Sequence, residues 1–194
     1  MKQKLLHKLN KRHGFSLTEM LATVLIMGFV GIIITTGAAT VQRVYRKVVA
    51  HANAQTALTT TITLMKDQLA FADPESVGNG SETGTGFGNS QTIVFKNLNS
   101  GEQTITLNPG TANRGFTLTY TTGDGTGTNS TSLPLLSDSA ITSDLCVCFD
   151  GTDSGFSWDP ATQVITVTNL VAKDTRTDTV QARASFKVLL VNDK

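Results

Sequence analysis

The stretch "KRHGFSLTEMLATVLIMGFVGIII", residues 11–34, sets positive charge, a glycine, one carboxylate and a lipid-like run in that order. From Met20 to Val41 no residue is charged. A helix of that length, rising about 1.5 Å per residue, covers about 33 Å, enough for a bilayer core. Gly28, Gly31 and Gly37 interrupt the run, and membrane helices tolerate glycine better than soluble ones do. Glu19 stands at the lip of this segment, where an isolated carboxylate is costly and needs compensation.

Charge is distributed unevenly around that run. Lys2, Lys4, Lys8, Lys11 and Arg12 precede Gly14 with no acid among them. The whole chain has 16 basic and 15 acidic residues. Removing those five cations leaves 11 bases against 15 acids, a net of −4 for the remainder. A basic leader on a mildly acidic body is the pattern of a targeting segment whose positive end stays in the cytoplasm. The acidic body, with nine Phe, two Tyr and one Trp, argues against a large nucleic-acid-binding surface.

Beyond the apolar run the helical pattern becomes one-sided. Val41, Val44, Val48, Ala52, Gln55, Leu58, Ile62, Met65 and Leu69 recur at steps of three or four, the stripe of an amphipathic helix. Arg43, Arg46 and Lys47 fall mostly off it, as a solvated face or as a contact with acidic lipid headgroups. Asp73-Pro74 stops the pattern, because the residue before proline is pushed out of the α region. The reading is one helix from roughly Ser16 to Ala72, in two parts: residues 15–41 apolar all round and residues 42–74 amphipathic.

Residues 75–91, "ESVGNGSETGTGFGNSQ", read as a Gly/Ser/Thr-rich linker. Residues 92–194 read as a β-rich head. Short alternating runs at 92–98, 103–108, 116–122, 145–149, 163–170 and 180–191 are expected strands, separated by Gly- and Asn/Asp-rich turns. Six or seven antiparallel strands with one dry face would lie on the one-sided half of the helix. The fold class is α+β, a long N-terminal helix packed on an antiparallel β domain.

In the head, Cys146 and Cys148 sit one residue apart and share a strand face, as half-buried thiols or as a strained disulfide. Zinc is not expected, for want of two further ligands, since His51 is the sole histidine after residue 14; His51 itself reads as a solvated helix residue. Asp150, Asp153 and Asp159 could wrap calcium, but their spacing is no EF-hand and "DGTDSG" is hairpin-turn chemistry. No cofactor is therefore expected, with calcium the alternative. Trp158 reads as core edge beside that turn. No GxSxG, P-loop or paired metal ligands support an enzyme.

With these elements in place, "GFSLTEMLATVLIMGFVGIII" resembles the class III signal of type IV pilins, the pseudopilins of type II secretion and the competence pilins. The resemblance covers about residues 11–40 and implies a pilin-like fold. It implies cleavage by a membrane-embedded prepilin peptidase between Gly14 and Phe15, after a leader bearing Lys8, Lys11 and Arg12. Phe15 would become the N-methylated first residue, and Glu19 matches the family's diagnostic acid. The implied product is a filament subunit whose partners are other pilins, an inner-membrane assembly platform and, before assembly, membrane lipid. It would begin as a single-pass precursor with its N-terminus inside and end in a surface or extracytoplasmic filament. A pilus, a secretion pseudopilus and a competence filament are all compatible with it. A DNA-capturing minor pilin is the binding-module alternative, disfavoured by the net of −4. Ordinary secretion, with a cut after Ala39 in "TGAAT", is another, but it would leave the stripe from Val41 with a ragged start and no N-cap. Family members often carry a proline inside the apolar run; this chain has none there, so local unwinding would fall at Gly28 or Gly31.

Overall fold

The computed structural model describes residues 16–81, 83–97, 103–109, 115–122, 129–137 and 144–191. Two units are distinguished, Met1–Lys47 and Val48–Lys194. A single helix, α1 (Leu17–Ala70), runs for 54 residues, within the span expected from the periodicity. In the first unit every described residue is exposed, and its apolar window is 0% buried. Its threonine hydroxyls bond locally. Thr35 donates to the Gly31 carbonyl at 2.6 Å, Thr36 to Ile32 at 2.9 Å and Thr40 to Thr36 at 3.0 Å. Such back-bonding leaves no free hydroxyl donor on these threonines, the condition a hydrocarbon environment imposes.

In the second unit the helix becomes one-sided, as its sequence requires. Ala54, Ala57, Leu58, Thr61, Met65 and Leu69 are buried. This stripe shares Leu58, Met65 and Leu69 with the expected one, but begins at Ala54; Val41, Val44 and Val48 stay exposed. Period alone locates an apolar face without saying where along the helix that face meets a sheet. Thr61 enters the core because its hydroxyl donates to the Ala57 carbonyl at 2.8 Å. The helix stops at Ala70, whose carbonyl accepts the N–H of Val191 at 2.9 Å. The chain then makes a 3₁₀ turn, Pro74–Ser76, with Asp73 as its N-cap.

Among the described residues nine strands form two antiparallel sheets. The first is a meander of β2 (Ile93–Lys96), β3 (Thr104–Pro109), β4 (Phe116–Thr122) and β5 (Asn129–Pro134). Ile93 faces Leu107, Phe95 faces Ile105, and Leu107 faces Leu118 across the strands. In β3 and β4 the alternate positions are polar, Thr104, Thr106 and Asn108 in one and Thr117, Thr119 and Thr121 in the other, as the period of two dictates. The edge strand β5 is exposed throughout, and its "NSTSLP" composition blunts an edge that would otherwise invite pairing.

The second sheet is built on β8 (Val164–Asp174). One edge of β8 pairs β7 (Gly155–Asp159) along its first half and β6 (Leu145–Phe149) along its second. Strand β9 (Thr179–Leu189) pairs the other edge, and β1 (Phe87–Ser90) flanks β7. Asn169, at φ 53, marks the β8 bulge between Val167 and Leu170. Its N–H is taken up by the Ser185 hydroxyl at 3.0 Å. One core unites the helix and both sheets. Phe116 of β4, Phe149 of β6 and Phe156 of β7 meet edge to face, with centroid distances of 5.0 Å (Phe116 to Phe149), 6.3 Å (Phe116 to Phe156) and 5.1 Å (Phe149 to Phe156).

This is the expected α+β class with an apolar helix, but with two sheets where one was expected. All six anticipated strands are present; β1, β5 and β7 were not anticipated. Strand β1 lies in the stretch read as linker, and Gly78 there also bridges Val94. "GFSWD" of β7 was hidden behind turn-forming residues, and Trp158, read as core edge, is only 3% exposed.

Candidate functional site

The N-terminus of α1 is built by Ser16. Its carbonyl accepts the N–H of Glu19 at 2.9 Å and of Met20 at 3.1 Å, opening the first turn. Glu19 lies in that turn, where a carboxylate is favoured by the partial positive charge of the helix end. It is exposed, and among the described residues no cation pairs with it. The helix therefore presents an acid with no charged partner among the described residues, followed by exposed Met20, Leu21, Val24, Leu25 and Met27. A Cβ at Gly28, Gly31 or Gly37 would meet nothing within 4 Å, so nothing among the described residues requires those glycines. Gly14, Phe15, Lys8, Lys11 and Arg12 lie outside the described residues.

Farther along, Arg43, Arg46 and Lys47 are exposed on the same helix. His51 is exposed and sits 3.0 Å from the Gln55 side-chain amide, one turn away.

The three aspartates considered for calcium are held separately. Asp150 pairs with Arg183 at 2.7 Å. Asp153 offers its backbone carbonyl to Thr168 and Asn169, both at 3.4 Å. Asp159 closes an Asx turn, accepting from the Ala161 N–H at 3.0 Å and the Thr162 hydroxyl at 2.7 Å; these bonds hold its carboxyl below the usual range. Strand β7 separates it from Asp153, roughly 13 Å along the chain at 3.3 Å per residue. The fold does not bring the three together, and no metal-holding group of three His, Cys, Asp or Glu occurs among the described residues.

The two cysteines are brought together. Both are free thiols on β6, Cys146 buried and Cys148 half-buried. A hydrogen bond from Cys148 pulls the Cys146 thiol down to about 7, aided by the Gly115 backbone N–H and the Lys173 charge and opposed by burial. The same bond, burial and the charge on Cys146 push Cys148 up. Lys173 faces Cys146 across the strands; no periodicity in the sequence announces that neighbour.

An exposed apolar helix with one acid in its first turn, joined to an α+β head, defines a pilin-like architecture. The family model described as the prokaryotic N-terminal methylation motif matches residues 9–35, so the chain carries a type IV prepilin-like signal. Neither the curated proteins nor the solved structures yield a match. The motif supports a type IV pilin- or pseudopilin-like precursor and indicates a structural subunit. Together with the apolar helix it fits a membrane-anchored precursor.

Proposed function

We propose that this chain is a structural subunit of a type IV filament, cut after Gly14 by prepilin peptidase, methylated on Phe15 and polymerised through α1. The observation that carries the reading is the methylation motif at residues 9–35 running directly into an apolar helix with no part of its window buried. Such a surface needs lipid before assembly and other copies after it. Gly28, Gly31 and Gly37 would let neighbouring helices approach closely. Cleavage frees an amine at Phe15, four residues before Glu19. In a staggered array that amine would face a neighbour's Glu19, pairing two charges that hydrocarbon accepts poorly alone. The pairing sets axial register, and the apolar surfaces supply the cohesion. The inner-membrane assembly platform and other pilins are the partners this reading requires.

The deciding measurement is mass spectrometry of the mature N-terminus. An N-methyl-phenylalanine at residue 15 is expected. A start near Thr40, or an uncut chain in cells with an active processing protease, overturns the proposal. Glu19→Ala is expected to be processed normally and to be lost from filaments. Incorporation at the parent level would remove the pairing while leaving the processing reading intact.

A further inference from the structure

The two thiols of the head lie on β6, away from α1 in the sequence. Strand β6 gives one face to the core: Leu145 and Val147 are buried in it and Phe149 packs against it. Cys146 and Cys148 occupy the other face, and neither belongs to that core. Cys146 is nevertheless only 7% exposed. Two polarizable sulfurs are thus placed on one face of the strand, two residues apart.

The surroundings favour negative charge at Cys146. The Gly115 N–H points at Cys146, and the Lys173 ammonium lies across from it. Lys173 is itself held by Asp178 at 2.6 Å. Asp150 also bears on Cys148, but Arg183 occupies its carboxylate at 2.7 Å. Val171, opposite Cys148, is fully buried and apolar.

Strand geometry then selects among the things two thiols can do. Residues i and i+2 of a strand hold their Cβ atoms about 6.6 Å apart. A disulfide needs Cβ···Cβ of about 3.5–4.5 Å, so direct oxidation requires the strand to buckle. A sulfur–metal–sulfur bridge, with metal–sulfur bonds of about 2.3 Å, spans roughly 4.6 Å between sulfurs and suits an unbuckled strand. Zinc needs four ligands, and no third ligand joins the pair among the described residues. A soft monovalent d¹⁰ ion is satisfied by two thiolates, and the resulting net negative charge falls beside Lys173.

We propose that Cys146 and Cys148 form a two-sulfur site on β6 for a single soft monovalent cation of the Cu(I) type. Binding replaces the protons the thiols carry with the metal, releasing them to solvent; two S–metal bonds form and no electron is transferred. Lys173 is a positioning residue, holding the charge of the complex without touching the metal.

The test uses the reduced full chain in detergent, kept anaerobic, with Cu(I) supplied as the complex of a chromophoric Cu(I) chelator. Withdrawal of one equivalent per chain is expected. Loss of that equivalent in Cys148→Ser, with Trp158 fluorescence melting unchanged to show that the variant folds, supports the site. Lys173→Met is expected to retain one equivalent but to surrender it at a lower chelator concentration. Failure of the parent to take Cu(I), equal uptake by the Cys146→Ser/Cys148→Ser double variant, or tighter retention of Zn(II) than of Cu(I) would each overturn the proposal.

Discussion

Phe156→Ala probes the contact on which the two-sheet head depends. Phe156 has no exposed surface and makes edge-to-face contacts with Phe116 of the meander sheet and Phe149 of its own, at 6.3 and 5.1 Å. Truncating a fully buried phenylalanine costs about 3–5 kcal/mol, transfer and cavity together. The two ring contacts, at about 0.5–1.5 kcal/mol each, place this site near the upper half of that range, about 4 kcal/mol. The unit Val48–Lys194 has the size for which 1 kcal/mol moves Tm by about 2–4 °C, so the expected fall is roughly 8–16 °C. Trp158, 3% exposed and two residues away on β7, is the chain's single tryptophan. Its fluorescence therefore reports melting of the head without interference from the detergent-bound helix. Phe156→Leu keeps most of the volume and should cost less than about 1.5 kcal/mol. Thr131→Ala, on the exposed β5, should stay within about 0.5 kcal/mol. A Phe156→Ala fall smaller than that of Phe156→Leu would show that the aromatic cluster does not join the sheets.

Three further expectations follow from the head. Gly155→Ala would place a Cβ 2.5 Å from the Ser90 carbonyl oxygen at a φ of +139°; it should detach β1 from β7, read as faster amide exchange at residues 87–90. The Asp174 carboxylate accepts the N–H groups of Arg176 at 2.8 Å and Thr177 at 3.2 Å, which lower it from its ordinary value of 3.8. Because the folded value is the lower one, its contribution is present above the unfolded pKa and is lost as pH falls through the folded one. Melting curves of Asp174→Ala should therefore lie slightly below the parent at neutral pH and converge with it in acid. Adding a calcium chelator should leave Tm unchanged, because Asp150, Asp153 and Asp159 are engaged separately; a fall of several degrees would refute that assignment.

Local chemistry determined the long helix. An uncharged run, then an apolar step of three or four, then Asp73-Pro74 dictate where helix can persist, and α1 follows them. The methylation signal at residues 9–35 was legible because its meaning is carried by order along the chain. Alternation likewise announced β2, β3, β4, β6, β8 and β9. It failed for β1, β5 and β7 because "FGNS", "NSTSLP" and "GFSWD" are strands only by virtue of their neighbours: Gly155 lets β1 approach, β4 holds β5 in register, and β8 recruits β7. The start of the buried stripe at Ala54, the separation of the three aspartates and the placing of Lys173 beside Cys146 are of the same kind. Each depends on residues distant in sequence becoming adjacent, and no period along a chain encodes which strand will lie next to which. Packing two sheets and a helix around Phe116, Phe149 and Phe156 made that choice.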